Sequence, residues 1–378
     1  MLEPGAGHGM RVLVVSTPVG HLGSGRGGGV EHTAGMIVAG LLRCGHAVTV
    51  LAAEGSVLPP ACASASLWEE PGVDQPSWQH CPRDTAVAIP AGALLPRFWR
   101  GALEQQGAFD RILNLAYDWL PFWLTPFLAT PLCHLVSMGS VAQVMDEAIE
   151  AVSSWHPERL AFHTAAQAAD FRLAAPPRLV GNGFDLSRYH PPSPDQVEPA
   201  LGWAGRISPE KGLEDAARVA ARLGLPLRVW GLRENGAYAE AVERAVPPGT
   251  IEWCGFQPTE RLQEGLGRCR VFLNTPRWNE AFGNVVVEAM ACGVPVAAYN
   301  RGGPGELVQE GVNGALATPD DLDALAAAVE RAARLDRGAC RSWAEAHHSP
   351  EAFTGRIEAW LQAAGAPPHS SAGAPGPG

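Results

Sequence analysis

Two glutamates in the second half of the chain have the spacing expected of a site that binds a phosphorylated, hydroxyl-rich ligand. Glu280 and Glu288 stand before and inside a predicted helix over 284–291. The first amides of a helix lack partners within it and can bind a phosphate. The residues that would offer these amides are Phe282, Gly283, Asn284 and Val285. We expect Glu280 at a sugar and Glu288 at a ribose, although each could instead be an ordinary loop or helix charge.

Two cations are expected at the same ligand. Lys211 is the only lysine in the sequence, and Arg206 lies five residues before it in the run GRISPEKG. A lysine acts on phosphate as a compact point charge, whereas an arginine offers a planar fork. Both follow a predicted strand over 201–205 and precede a predicted helix over 213–223, so the pattern favours a diphosphate clamp over the alternative of an exposed cationic loop.

A glycine-rich loop near the amino end offers a second place for backbone to approach an anion. The run GSGRGG at 23–28 satisfies G-x-G-x-x-G, which is typical of NAD-binding proteins. Six residues separate this run from the preceding strand, and the nearest acidic residue after the next strand is Glu54, so the context disfavours NAD. We expect Gly28 and Gly29, where a helix begins near Val30, to approach an anion. A merely mobile loop is the alternative.

The elements that must position these residues alternate between strand and helix. Valine-rich runs at 10–16 and 47–53 flank a helix over 30–43, and five further strands with intervening helices fill 201–299. This order predicts an α/β fold of two doubly wound, parallel-sheet domains facing across a cleft. The predicted domains span 10–180 and 181–345; a helix over 350–363 is expected to pack back on the first. Residues 364–378 are expected to be a disordered tail.

Composition narrows the function further. The 378 residues carry a net charge of −11 and no basic run, which disfavours nucleic acid and anionic membranes as partners. The eight cysteines form no Cys-x-x-Cys pair, so we expect reduced thiols and a cytoplasmic protein. No apolar run reaches about 18 residues, and stable membrane association is not expected.

The first half offers an aromatic stretch for a second substrate. Tyr117 and Asp118 open the run YDWLPFW after a predicted strand over 112–115, and Asn114 lies at the end of that strand. A flat heteroaromatic acceptor could stack here with Asp118 bonded to ring nitrogens, although an aromatic core under a loop is equally compatible. His134, on the next strand, is expected to be a core histidine.

The second-half motifs resemble the donor domain of family-4 glycosyltransferases, retaining enzymes of the GT-B fold. The segments that carry this likeness are GRISPEKG, EAFGNVVVEAMACGVPVAAYNRGGPGELV, GGGVEHTAGMIVAGLLRCGHAVTVLA and GNGFDLSRYHP. The resemblance implies that Glu280 binds the sugar and Glu288 the ribose, while Arg206 and Lys211 hold the diphosphate. It also implies that Gly28 and Gly29 close over the reacting centre and that no metal or other cofactor is required.

Three further segments, STPVGHLGSGRGGGVE, LNLAYDWLPFWLTPF and HLVSMGSVAQVMDEAI, resemble glucosyltransferases that use UDP-glucose and tetrahydrobiopterin. Many relatives place a histidine after the strand at 133–136, where this chain has Ser137. We therefore expect no essential histidine there, and Ser137 and the Gly139 amide are expected to contact sugar or acceptor.

The sequence thus predicts a retaining hexosyltransferase that moves glucose from UDP-glucose to a small soluble acceptor such as tetrahydrobiopterin. The alternatives are transfer of another sugar or to another acceptor, a UDP-sugar 2-epimerase, an NAD-dependent oxidoreductase and a non-catalytic nucleotide-sugar sensor.

Overall fold

The computed structural model describes residues 9–24 and 28–365 and contains two parallel β-sheets. Buried, valine- and leucine-rich strands alternate with helices that cover both faces, which is the pattern of doubly wound α/β folds. The elements of the first half are β1 Arg11–Val15, α1 Gly29–Arg43, β2 Ala47–Ala53, β3 Ser66–Glu70, α2 Leu94–Gln105, β4 Arg111–Asn114, α3 Trp119–Leu124, β5 Leu132–Val136, α4 Gln143–Trp155, β6 Leu160–Phe162, α5 Ala165–Ala168 and β7 Arg178–Leu179.

The second half continues with the same alternation. Its elements are β8 Leu201–Ala204, α6 Leu213–Leu223, β9 Leu227–Trp230, α7 Gly236–Arg244, β10 Ile251–Gly255, α8 Thr259–Gly267, β11 Val271–Asn274, α9 Asn284–Ala291, β12 Val296–Tyr299, α10 Gly302–Leu307, β13 Gly314–Ala317, α11 Leu322–Ala332, α12 Arg337–His348 and α13 Pro350–Ala363.

Each sheet reverses its strand order at one point. The first sheet has the order β3-β2-β1-β4-β5-β6-β7, and the second has β10-β9-β8-β11-β12-β13. The reversals lie between β1 and β4 and between β8 and β11. Loops diverge at such a point and leave a crevice at the carboxyl ends of the strands, where doubly wound folds bind ligands.

The predicted α/β fold of two doubly wound sheets is confirmed. Residues 60–100, to which the sequence assigned no element, contain the edge strand β3 and the start of α2. β3 is largely exposed, so it lacks the continuous apolar run that marks the buried strands. Residues 25–27 of the glycine loop and 366–378 of the predicted tail lie outside the described residues. Among the described helices, none has the length and apolar character needed to cross a membrane.

Helix α13 follows the second sheet in sequence and packs on the first. Phe353, Ile357, Trp360 and Leu361 are fully buried in the cluster that contains Val12 and other residues of the first sheet. The indole of Trp360 donates a hydrogen bond to the carbonyl of Glu158 at 2.9 Å. The chain therefore crosses between the halves twice, before β8 and again between α12 and α13.

Candidate functional site

A cavity of about 890 Å³ lies between the carboxyl edges of the two sheets. Its first wall is formed by residues that follow β1, β4, β5 and β6, and its second wall by residues that follow β8, β9 and β11. Both strand-order reversals therefore open into this interdomain cleft, which is large enough for a nucleotide sugar.

Most of the residues predicted from the sequence line this cleft. They are Gly28, Gly29, Tyr117, Asp118, Ser137, Gly139, Arg206, Lys211, Glu280, Phe282, Gly283, Asn284 and Val285. Asn114 and Glu288 are not among the lining residues. Positions separated by more than 250 residues in sequence thus meet at one cavity, as a two-substrate site requires.

Lys211 and Glu280 form the closest charged contact in the cleft wall. The Lys211 ammonium lies 2.6 Å from Glu280 Oε1, and the two side chains are only 17% and 14% exposed. The same ammonium lies 5.2 Å from the ring centroid of Trp278, a distance typical of a cation–π contact. The ammonium therefore points into the cleft and toward the loop that carries Glu280.

Arg206 is surrounded by carboxylates. Its guanidinium lies 3.2 Å from Glu210 and 3.3 Å from Glu234, which also lines the cleft. A diphosphate would compete with these carboxylates for the guanidinium. Two basic side chains, Arg206 and Lys211, are found among the described residues that line the cleft. Both belong to the second half.

The cationic loop is tied directly to the loop after β11. Gly212 adopts φ 65°, and a Cβ on it would lie 1.9 Å from the carbonyl oxygen of Thr275. Thr275 Oγ1 donates to the Gly212 carbonyl at 2.8 Å, and the Arg277 amide donates to the Glu210 carbonyl at 2.9 Å. Only glycine permits this approach and this backbone conformation, so Gly212 positions Lys211 against Glu280.

The start of α9 meets the first half across the cleft. Gly283 caps the helix with φ 95°, and the Asn284 side chain accepts a hydrogen bond from Asn182 at 2.9 Å. From behind, the Gly303 amide donates to the Glu280 carbonyl at 2.7 Å. The start of α10 therefore supports the loop that carries Glu280.

Glu288 lies one turn inside α9. The Tyr189 hydroxyl donates to its carboxylate at 3.1 Å, and burial raises the pKa of Glu288. The burial and the partner distinguish Glu288 from a solvent-facing helix carboxylate. Its predicted contact with a ribose stays a prediction.

On the first-half side of the cleft, the described lining residues include one buried carboxylate, that of Asp118. Asp118 is 2% exposed, caps α3 by accepting from the Trp119 amide at 2.7 Å, and has Trp78 and Gln75 beside it. Burial raises the pKa of Asp118 to about 6. Leu115 and Leu135 also line this side of the cleft, which therefore combines apolar surface with a hydrogen-bond acceptor.

The structure does not bring Asn114 to the cleft. Its amide is fully buried and bonds to the backbone of Ala116 and to the imidazole of His134. His134 also contacts Thr125 Oγ1 at 2.8 Å and stacks on Phe122, as expected of a core histidine. The aromatic stretch is thus divided: Tyr117 reaches the cleft while Phe122 lies in the core.

Several lining residues were not predicted from the sequence, and two of them are polar residues at strand ends. His163 follows β6, and Asn274 ends β11; both are buried, and Asn274 Oδ1 has no hydrogen-bond partner among the described residues. The position of each at the carboxyl end of a central strand was the available signal. The sequence does not show which strand ends border the cleft, so this position alone could not identify the two residues as lining residues.

Two other acidic positions have structural roles. Asp321 Oδ1 accepts from the amides of Asp323 and Ala324, so the Asp-Leu-Asp run begins α11. Glu306 caps α5 in the opposite half by accepting from the amides of Ala165 and Ala166. The described residues contain no group of three histidine, cysteine or acidic side chains arranged to hold a metal ion.

Comparison with known proteins agrees with this geometry. Residues 192–361 match the family of glycosyl transferases group 1. The D-inositol 3-phosphate glycosyltransferase of Mycobacterium marinum is 32% identical over 230 residues, which are 55% of this chain and 47% of that protein. The chain spans about half the length of the curated relatives it matches.

Solved structures cover nearly the whole chain. AviGT4, a glycosyltransferase involved in avilamycin A biosynthesis, has a TM-score of 0.65 and 20% identity over 94% of this chain and 99% of its own. Anabaena Alr3699/HepE in complex with UDP has a TM-score of 0.71 and 18% identity over 93% of this chain and 100% of its own. The same protein in complex with UDP-glucose has a TM-score of 0.67 and 18% identity, covering 93% and 99%.

At these identities the structural likeness shows the fold, and the GT-B arrangement of two facing Rossmann-like halves is confirmed. The match to the family of glycosyl transferases group 1 lies in the second half of the chain. The relative named above acts, by its name, on an inositol phosphate. The resemblance to tetrahydrobiopterin glucosyltransferases stays a prediction.

Proposed function

We propose that this protein is a retaining, UDP-glucose-dependent hexosyltransferase that acts on a small soluble acceptor of the pterin type. The observation that carries the proposal is the contact of 2.6 Å between Lys211 and Glu280 inside a cleft lined by both sheets. In a nucleotide sugar, phosphate and sugar hydroxyls lie within one sugar's length of each other. Such a ligand can place its phosphate at the ammonium and its hydroxyls at the carboxylate. The complex of Anabaena Alr3699/HepE with UDP-glucose supports this choice of donor.

In the proposed reaction the bond between the anomeric carbon and the UDP oxygen breaks. The negative charge that develops on the leaving diphosphate is stabilised by Arg206 and Lys211, while the amides at the start of α9 bind the same phosphate. Glu280 orients the sugar, and Glu288 binds the ribose. The acceptor oxygen attacks on the face the UDP leaves, and its proton passes to the departing phosphate. In this scheme the fixed cations perform the charge stabilisation without a metal.

The acceptor half supports a flat, nitrogen-bearing acceptor. Asp118 can accept hydrogen bonds from ring N–H groups, and Tyr117 and Trp78 border the same space.

The eight cysteines are all free thiols, which favours a cytoplasmic location.

An inositol phosphate is the second acceptor to consider, because the Mycobacterium marinum relative is named for it. The described lysine and arginine side chains that line the cleft are both on the donor side, where the diphosphate would use them. A phosphorylated acceptor would therefore lie near Asp118 without a described cation of its own. This charge arrangement favours the uncharged acceptor.

The test is incubation of the purified protein with a panel of UDP-hexoses and two acceptors, tetrahydrobiopterin and inositol 3-phosphate. Released UDP and product mass are measured, and the anomeric configuration of the product is read by NMR. We expect UDP release with UDP-glucose and a hexosylated pterin of retained configuration. Turnover with inositol phosphate alone would overturn the acceptor, an inverted product would overturn retention, and no UDP release with any donor would overturn the function.

A further inference from the structure

His163 is held in one orientation at the point where the two halves meet. It directly follows β6, lines the cleft, and is 8% exposed. Its amide donates to Gln167 Oε1 at 2.7 Å, and Gln167 in turn donates to the carbonyls of Val136 and Met138. The histidine is therefore fixed to the loop after β5 as well as to its own strand.

The hydrogen bond of the ring determines its tautomer. His163 Nδ1 lies 2.7 Å from the carbonyl oxygen of Gly181, and a carbonyl can only accept, so Nδ1 carries the proton. Burial lowers the pKa of His163, which keeps the ring neutral near pH 7. In that form Nε2 has a lone pair and no proton, and none of the described residues bonds to it, while His163 lines the cleft. Nε2 can therefore accept a hydrogen bond but cannot donate one to a phosphate.

The neighbouring contacts place the His163 ring beside the loop predicted to hold the sugar. Thr164 Oγ1 donates to the carbonyl of Ala281 at 2.7 Å, which joins the residue after His163 to the residue after Glu280. The ring also lies 5.9 Å from that of Phe282. An acceptor nitrogen here suits a ligand hydroxyl.

We propose that His163 is a specificity-determining residue whose Nε2 accepts a hydrogen bond from a hydroxyl of the transferred hexose. The inference rests on the proposed function, because it requires a nucleotide sugar in the cleft. It adds a side-chain contact from the first half to the sugar that Glu280 is proposed to bind from the second half. The hydrogen bond from the hexose to His163 would therefore form only when the two halves are close together.

Titration calorimetry with UDP and with UDP-glucose tests this contact without an acceptor. Replacing His163 by Phe keeps the ring shape and removes the lone pair. We expect His163→Phe to weaken UDP-glucose binding about tenfold and UDP binding less than about twofold, because the hexose loses a partner that UDP does not use, whereas loss of the bond to the Gly181 carbonyl affects both ligands alike. His163→Gln, whose amide oxygen can accept, is expected to recover part of the loss.

His348 provides a matched control. It is also buried, also bonds through Nδ1 to a backbone carbonyl, that of Asn182, and also packs on Phe282, but it does not line the cleft. His348→Phe should therefore leave the ratio of the two dissociation constants unchanged. Any general loss of stability would act on both ligands alike.

Deoxy analogues of UDP-glucose identify the hydroxyl. One analogue should bind the wild-type protein about tenfold more weakly than UDP-glucose, yet bind His163→Phe or His163→Gln with little further loss. Equal effects of His163→Phe on UDP and UDP-glucose, or no effect on either, would overturn the inference while leaving the proposed function intact. Failure of the wild-type protein to bind UDP or any UDP-hexose would refute the proposed function itself.

Discussion

Replacement of Lys211 by Ala removes the only lysine in the chain from the centre of the proposed donor site. The Lys211 side chain is 17% exposed, its ammonium contacts Glu280 at 2.6 Å, and Gly212 fixes the loop that carries it. The substitution therefore removes a cation from the cleft and leaves a carboxylate there without its partner. We expect slower turnover rather than unfolding.

The size of the effect follows from Coulomb's law. A unit charge about 4 Å from a phosphate oxygen contributes about 4 kcal/mol at an effective dielectric constant of about 20. Part of this is offset in the resting protein, because Glu280 already pairs with the ammonium. A net loss of at least about 1.4 kcal/mol, or about tenfold in turnover, is therefore expected.

Steady-state UDP release from UDP-glucose measures this loss. Arg228→Ala is the control, because Arg228 is also ion-paired, with Glu198 and Glu252, and is equally covered at 18% exposure, but lies outside the cleft lining. The control should change stability without changing turnover. Because Lys211 has the only side-chain amine, amine-selective labelling gives a second readout, and UDP should protect it.

Turnover of Lys211→Ala within about twofold of the wild-type value would refute the charge argument. Labelling of Lys211 at the same rate with and without UDP would contradict the proposed contact with phosphate. The two readouts are independent, since labelling needs neither catalysis nor an acceptor.

Three further substitutions test other parts of the site. Gly212→Ala should lower turnover at least about tenfold and destabilise the fold by more than about 1 kcal/mol, because its Cβ would meet the Thr275 carbonyl at 1.9 Å; unchanged denaturant midpoint and turnover would contradict this. Glu288→Gln should weaken UDP binding about tenfold with little effect on the rate at saturation, measured by calorimetry and kinetics, and an unchanged UDP affinity would remove the ribose assignment. Burial raises the pKa of Asp118 to about 6, so above that pH the buried carboxylate lowers the free energy of unfolding. This loss shrinks as the pH drops from about 6 toward the pKa that Asp118 has in the unfolded chain. Asp118→Asn should therefore be more stable than the wild type by about 1–3 kcal/mol near pH 8 and by less than half of that near pH 4, as urea unfolding at both pH values would show; a difference independent of pH would exclude the buried charge as its cause.

Many elements of the fold could be predicted because their signals are local. The apolar run of β2 at Ala47–Ala53 and the helical spacing of α6 at Leu213–Leu223 were predicted with the bounds the structure has. β3 was missed because an exposed edge strand lacks an apolar run, and pairing with β2 alone identifies it. The start of α9 was predicted from the glycine before it.

The candidate site was predictable where one loop carries a chemical pattern. Arg206, Lys211 and Glu280 each stand in a short motif, and the structure brings all three to the cleft. Asn114 was not distinguishable from a lining residue, because only the packing of His134 and Ala116 against its amide shows that it is fully bonded. His163 lines the cleft but could not be predicted to do so, because nothing in its own neighbourhood in sequence relates it to Glu280.

The sequence by itself therefore determined the two parallel sheets, the cationic loop and the acidic helix start, because strand pattern, helix caps and charge are properties of neighbouring residues. The tertiary structure alone decided that Lys211 pairs with Glu280, that Glu306 caps a helix in the opposite half, and that His163 faces the cleft. The two contacts join residues 69 and 141 positions apart, and their geometry depends on how two sheets pack, which no local pattern encodes.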